Sequence, residues 1–128
     1  MLLEVHRWQV VLYPPWEDES PVAEFFEENL QLLPRFRHVV ERIEQLGFDA
    51  LLKSMTVRPI RGSNPALYEY RQMGKQAFRI LLIAHRRTIV LLHAFKKQSA
   101  KLPRQDRETG EQRAAKALAY YEERYDEG

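Results

Sequence analysis

The chain contains no cysteine, and this absence removes two classes of protein at once. Without thiols there are no disulfide frameworks and no thiolate zinc sites. A reducing cytoplasm is the compartment that we expect for such a sequence. The four histidines are scattered along the chain and show no metal-ligand spacing. We therefore predict no metal and no other cofactor.

Long apolar runs are also missing. The longest, Ile80 to Ala84, falls far below the roughly 20 apolar residues that a membrane-spanning helix needs. The first residues show no basic leader followed by a long apolar run, so we expect neither a signal peptide nor a membrane anchor. A length of 128 residues suits one hydrophobic core, and we predict a single domain over residues 1–128.

Acidic residues are almost absent between Arg71 and Arg107. This stretch holds ten Lys/Arg and one acid, Asp106, a net charge of +9, although the whole chain carries only +2. A solvated surface usually mixes Lys with Glu, and this stretch lacks the Glu. Such a local field attracts phosphates or an acidic protein. The charge pattern therefore favours a polyanion or an acidic partner over a plain solvated face.

The N-terminal half reads as one strand followed by two helices. "RWQVVLY" has strand periodicity, and Ser20 before Pro21 is a cap followed by a first-turn proline. Pro34 opens the second helix, and Gly47 is its expected end. "FDALLKS" predicts a short helical turn. We interpret "VRPIRGSNP" as a connector, because its prolines oppose a central strand.

The C-terminal half reads as three strands and a helix. The strands are "LYEYR", "FRILLIAH" and "TIVLLHAFK", and the helix covers about residues 104–125. The order β-α-α-β-β-β-α predicts an α+β fold, in which two N-terminal helices pack on a small antiparallel sheet and a C-terminal helix follows.

A turn at Arg86-Arg87 fixes the expected register of the last hairpin. It pairs Leu82 with Leu91 and Phe78 with Phe95, which sorts the two sheet faces. The expected core face carries Phe78, Ile80, Leu82, Ile89, Leu91, His93 and Phe95. The expected outer face carries Arg79, Leu81, Ile83, Val90, Leu92, Ala94 and Lys96. Its apolar end needs a cover, for which we favour the terminal helix, and a bulge near Ala94 would turn His93 outward.

Three segments carry a resemblance to a known superfamily. They are Leu67-Tyr68-Glu69-Tyr70-Arg71, Phe78-Arg79 and the run from Leu91 to Pro103, "LLHAFKKQSAKLP". Together they resemble bacterial toxins of the RelE/ParE superfamily, most closely its HigB-like, phage-derived branch. The sequence departs from that pattern at three positions: Tyr70 replaces an aliphatic residue, Gln98 replaces the second lysine of a pair, and Leu102 replaces Ser/Thr.

The resemblance implies a RelE-like fold and a ribosome-dependent endoribonuclease that cuts mRNA. It also implies an antitoxin encoded beside the toxin, expected to be a helix-turn-helix protein. Attack of an RNA 2′-hydroxyl on the adjacent phosphate needs cations to stabilise the phosphorane. The catalytic positions that the resemblance assigns are Arg71, Arg79, Lys96 and Lys97. The positions expected to contact RNA or the ribosome are Arg86, Arg87, Lys101 and Arg104.

Other interpretations stay open at this stage. Arg79 can instead form a structural ion pair with Glu69, and Lys96 and Lys97 can be solubility charges on an edge strand. The protein can also be a gyrase-inhibiting toxin on the same fold, or a non-catalytic phage-derived interaction module. The sequence assigns no general acid or base, and the expected register places His93 in the core.

Overall fold

The computed structural model describes residues 8–126, and side chains through residue 124. Within this part of the chain the fold is α+β, with five strands and four α-helices. The strands are β1 (Gln9–Leu12), β2 (Val57–Ile60), β3 (Leu67–Gln72), β4 (Phe78–His85) and β5 (Thr88–Lys96). The helices are α1 (Pro21–Glu28), α2 (Leu33–Leu46), α3 (Phe48–Lys53) and α4 (Arg104–Asp126), with a 3₁₀ turn at Leu30–Leu32. None of these helices is both long enough and apolar enough to cross a membrane.

The sheet is mixed, which corrects the expectation of an antiparallel sheet. Its strand order is β1-β5-β4-β3-β2. Strands β2 to β5 pair antiparallel in sequence order, but β1 runs parallel to β5, with Val10 opposite Ile89. The chain leaves β1 through the three early helices and starts β2 at the far edge. It then returns strand by strand, so β5 arrives beside β1 in the same direction.

The segment interpreted as a connector contains strand β2, and this prediction was wrong. Pro59 lies in β2 opposite Tyr68 of β3. A proline cannot donate a hydrogen bond to a neighbouring strand. Because β2 is the edge of the sheet, it has a partner on one side only and tolerates the proline. The sequence argument excluded a central strand but did not exclude an edge strand.

The predicted ends of the early helices are confirmed. Ser20 caps α1, since its hydroxyl oxygen accepts a hydrogen bond from the amide of Val22 at 3.1 Å. Gly47 ends α2 with φ at +84°, in the left-handed region that disfavours side chains. Its amide donates to the carbonyl of Ile43 at 2.9 Å. Pro21 and Pro34 both lie in the first turn of their helices, as predicted.

Helices α1 to α3 pack on one face of the sheet, which we call the inner face. Aromatic rings form its centre: Phe26 stacks on Phe36 at 4.0 Å between centroids and meets Phe78 edge-on at 5.3 Å. The sheet contributes the fully or nearly fully buried Tyr70, Phe78, Ile80, Leu82, Ile89, Leu91 and Ala94. The hydrophobic effect over this contiguous core is the main force that fixes the early helices.

Helix α4 packs on the opposite face, which we call the outer face. The second core that it closes contains Tyr13, Leu67, Leu81, Ile83, Val90, Leu92, Ala114 and Ala117. Gly110 lies directly against side chains of the sheet. A Cβ atom added there would stand 2.8 Å from Leu81 Cδ1. Glycine has a low helix propensity, but at position 110 its missing side chain lets α4 approach the sheet.

Candidate functional site

A β-bulge in strand β5 decides which side chains share the outer face. Leu82 lies opposite Leu91, as predicted, but Leu81 lies opposite His93, so Leu92 is one extra residue. Beyond the bulge the register is shifted by one position, and Arg79 faces Phe95. The carbonyl of Leu92 accepts a hydrogen bond from Arg113 Nη1 of α4 at 2.8 Å. Helix α4 thus provides a partner at the point where the regular pairing is interrupted.

The bulge moves His93 and Phe95 out of the inner core, where the sequence placed them. Ala94 occupies that inner face instead. From the sequence, a bulge near Ala94 was expected to turn His93 outward, and the structure shows this arrangement. His93 Nε2 lies 2.7 Å from Asp106 Oδ1 in the first turn of α4, and its ring stacks on Phe95 at 5.1 Å. Burial lowers the pKa of His93, and the hydrogen bond to Asp106 partly opposes this effect.

Arg79 is buried rather than open to a ligand. Its side chain is 1% exposed, which differs from the expectation that it lies where a ligand reaches it. Its Nη2 donates to the carbonyls of Ser99 and Ala100, at 2.9 and 2.7 Å. Segment 97–103 thus covers the guanidinium. Arg79 Nε lies 3.7 Å from Glu69 Oε2, and neither of these two buried atoms has a hydrogen-bond partner within the described residues.

Of the two arginines that lie beside Glu69, Arg71 is the one that solvent reaches. Its Nε donates to Glu69 Oε1, and its side chain stays 38% exposed. Strands β3 and β4 place Arg71 directly opposite Arg79. Glu69 is 4% exposed and lies between the two cations, so it screens part of their charge. The geometry supports the ion pair between Arg79 and Glu69, while Arg71 presents its remaining donors to solvent.

A groove of about 630 Å³, which we call the basic groove, opens beside Arg71 at the sheet edge. It is lined by His38, Arg42, Ser54, Met55, Thr56, Arg58, Glu69, Tyr70, Arg71, Gln72 and Met73. Three guanidinium groups and one histidine therefore stand against one acid in this lining. Burial raises the pKa of Tyr70, whose hydroxyl lies 2.5 Å from Gln72 Oε1. Planar guanidinium forks bind two phosphate oxygens at once, so this lining suits a phosphodiester.

A second, smaller cleft contains the predicted lysines. Its volume is about 300 Å³, and Lys75, Lys96 and Lys97 line it together with the turn between β3 and β4. Lys96 is exposed at the end of β5 and lies opposite Phe78, so the bulge places it on the inner side of the sheet and not on the outer face, where it was predicted. Phe78, opposite Lys96, is followed on β4 by Arg79, which lies opposite Arg71. Lys96 and Lys97 are therefore at the same end of the sheet as Arg71.

The other four predicted positions divide into two groups. Lys101 and Arg104 are exposed and lie just beyond that same sheet end, with Arg104 Nε 2.9 Å from Glu108 Oε1. Arg86 and Arg87 occupy the turn at the opposite end of β5, about 27 Å away along a nine-residue strand. Arg87 lies over the ring of Trp8 at 5.9 Å. The structure thus brings Lys101 and Arg104 toward the site, but not Arg86 and Arg87.

Sequence reasoning missed several residues of this region. Arg58 was assigned to a connector, but β2 pairs it with Glu69 on the outer face. An interpretation of "VRPIR" as an edge strand would have found it, since edges accept proline. Arg42 reaches the groove from α2, and no local signal predicts this long-range approach. Asp106 meets His93 only because of the bulge, which the sequence does not mark.

Comparison with known proteins identifies a family. Neither the curated proteins nor the solved structures give a match. The family described as "Phage derived protein Gp49-like (DUF891)" matches residues 26–115, more than half of the chain. The matched region runs from α1 into α4 and includes the basic groove, the bulge and the pair of His93 and Asp106. The chain therefore belongs to the Gp49-like, phage-derived family, which is a RelE/toxin-like family.

Proposed function

We propose that this protein is the toxin of a toxin–antitoxin system and cleaves mRNA on the ribosome. It takes the RelE-like arrangement of the HigB-like branch, and a helix-turn-helix antitoxin encoded beside it holds it inactive. Membership of a phage-derived, RelE-like family supports the toxin assignment. The motif run from Leu91 to Pro103 supports the branch.

The observation that carries the proposal is the basic groove beside Arg71. Arg42 and Arg58 reach it from α2 and β2, so three guanidinium groups converge from three elements. A phosphorane carries more negative charge than the phosphodiester it forms from, and convergent cations stabilise it preferentially. Lys96 and Lys97 add positive charge in the second cleft, at the same end of the sheet. RNA can then contact these cations on both sides of the cleaved phosphate.

The ribosome enters the proposal because cations do not align the reacting atoms. The 2′-hydroxyl, phosphorus and leaving oxygen must lie in line, and such positioning is worth several kcal/mol. A ribosome that holds mRNA in a splayed conformation supplies this geometry from outside. Its RNA is also a large polyanion for the +9 stretch to bind, so binding weakens steeply as salt rises.

The test compares one mRNA in two states. Purified protein is mixed with the naked transcript and with the same transcript in translating ribosomes, and the 5′ ends of the products are mapped. We expect cleavage in the translated sample only. Equal cleavage of both samples would refute the ribosome requirement.

Induction of the gene in a bacterium without the antitoxin distinguishes the two alternatives. Arrest of replication with intact mRNA would identify a gyrase inhibitor. Unaffected growth would identify a non-catalytic module.

Charge-matched variants test the groove itself. Arg58→Ala removes one exposed cation from the lining, while Lys116→Ala removes one from the exposed face of α4. We expect Arg58→Ala to weaken ribosome binding and to lower the slope of log affinity against log salt by about one. Lys116→Ala leaves both quantities near the wild-type values. Equal effects of the two variants would show that net charge, rather than the groove, governs binding.

A further inference from the structure

The pair of His93 and Asp106 has the geometry of an oriented acid–base group. Asp106 Oδ1 lies 2.7 Å from His93 Nε2, and the stacked ring of Phe95 holds the imidazole plane from one side. Among the side chains of residues 8–124 this is the one hydrogen bond that the ring makes, so Nδ1 is left for another partner. The His93 side chain keeps 19% of its surface exposed and Asp106 keeps 24%, so solvent reaches the pair.

Among the described residues, the charged groups near His93 lie on α4, on β3 and on β4, where Arg79 is opposite the neighbouring Phe95. Helix α4 contributes Asp106 and Arg113, of which Arg113 lowers the pKa of His93 and Asp106 raises it. Across the sheet the nearest position is the apolar Leu81, and Glu69 follows on β3. Burial is the largest influence and favours the neutral ring. A neutral imidazole at working pH is the form that accepts a proton.

His93 also lies near Arg71 on the sheet. Phe95, on which its ring stacks, lies directly opposite Arg79, and Arg79 lies directly opposite Arg71. The imidazole and the accessible guanidinium of Arg71 therefore share the outer face. The spacing of strands and of alternate residues places their Cα atoms on the order of 12 Å apart. A proton acceptor and a phosphate-binding cation thus lie on one face of one sheet.

We infer that His93 is the general base of the proposed cleavage and that Asp106 is its positioning residue. This inference rests on the proposed function. The neutral imidazole takes the proton of the 2′-hydroxyl as the O2′–P bond forms and the P–O5′ bond breaks. The leaving 5′ oxygen takes a proton from water, and the resulting hydroxide takes the proton back from the imidazolium. The products are a 2′,3′-cyclic phosphate and a 5′-hydroxyl, and no co-reactant is consumed.

The experiment measures single-turnover cleavage of ribosome-bound mRNA against pH. The wild-type rate falls in acid as His93 becomes protonated. His93→Gln lowers the plateau rate by about 100- to 10,000-fold, the usual contribution of general acid–base catalysis, and removes that acid limb. Asp106→Asn keeps an acceptor beside the ring but removes the carboxylate that raises the pKa of His93. Its acid limb therefore moves to lower pH.

Matched controls separate chemistry from folding. His85→Gln changes a histidine at the far end of β4, and Asp49→Asn removes an exposed carboxylate from α3. Both leave the shape of the pH profile unchanged. A wild-type protein that cuts no RNA refutes the proposed function. Wild-type cleavage with an unaltered rate and profile in folded His93→Gln refutes the general base alone. If His93→Gln fails to fold, an unmoved acid limb in Asp106→Asn overturns the inference.

Discussion

Replacement of Ala114 by aspartate tests whether the contact between α4 and the outer face holds the fold together. Ala114 is fully buried, and Leu81 and Leu92 are buried in the same cluster. Ala115, the next residue on α4, is exposed and serves as the matched control. Ala114→Asp and Ala115→Asp carry the same change in helix propensity, about 0.7 kcal/mol. The difference between the two variants therefore reports the interface alone.

The magnitude follows from what surrounds the new carboxylate. An uncompensated charge in a buried site costs about 3–5 kcal/mol. Arg113, which precedes Ala114 on α4, already donates to the carbonyl of Leu92. Neighbours one position apart on a helix also face different directions. We expect Ala114→Asp to lose about 3–5 kcal/mol more than Ala115→Asp, a large fraction of the 5–15 kcal/mol typical of a whole domain.

Urea denaturation of both variants, followed by circular dichroism, measures this difference. Binding of a hydrophobic dye to the native state reports whether α4 has left the sheet and exposed the second core. A completely unfolded Ala114→Asp variant beside a folded Ala115→Asp variant agrees with the reasoning. Free energies of unfolding within about 0.5 kcal/mol of each other would refute it, because the helix would then contribute nothing through this contact.

Three smaller perturbations test other parts of the structure. Gly110→Ala gains about 1 kcal/mol of helix propensity but forces a Cβ atom to 2.8 Å from Leu81 Cδ1. Overpacking costs about 1–3 kcal/mol, so urea denaturation should show a net loss of stability. A net gain would mean that Leu81 moves aside. Ser20→Ala removes the cap of α1 and should cost about 1 kcal/mol by the same measurement; no loss would show that another group takes over the amide of Val22. Because the pKa of His93 is lowered, the folded state binds fewer protons in acid than the unfolded state. The free energy of unfolding should therefore fall as pH drops below about 6.5, by at most about 1.4 kcal/mol per pH unit. His93→Gln should flatten this decline, and a parallel decline would assign it to other groups.

Local signals in the sequence were sufficient for most of the secondary structure. The cap at Ser20, the stop at Gly47 and the apolar runs of β4 and β5 are all carried by neighbouring residues. Helix α4 begins at Arg104, directly after Pro103, where the sequence predicted its start. These features depend on backbone preferences and on periodicity, and both can be read from short windows.

The sheet was predicted less well, because strand pairing is a long-range property. Nothing near Gln9–Leu12 states that this strand will run parallel to β5. Nothing near Pro59 states that β2 will be an edge, a position at which a strand tolerates proline. Arg58 was missed as a member of the candidate site for that reason. The charge of the +9 stretch did not reveal that Arg79 is buried while Arg58 and Arg42 help to line the groove.

The interpretation of His93 turned on a single extra residue. With regular pairing, the alternation of side chains places it in the inner core, where a histidine is most simply structural. Leu92 interrupts the pairing, and every side chain between the bulge and the end of β5 changes face. Helix α4 stabilises this arrangement from both sides of the bulge, through Arg113 on the carbonyl of Leu92 and Asp106 on the His93 ring. Two of the contacts between α4 and the sheet thus also orient the candidate base. A partner that lifted α4 would remove both the cover of the second core and the orientation of His93, so the proposed antitoxin would not need to occupy the basic groove to block the proposed cleavage.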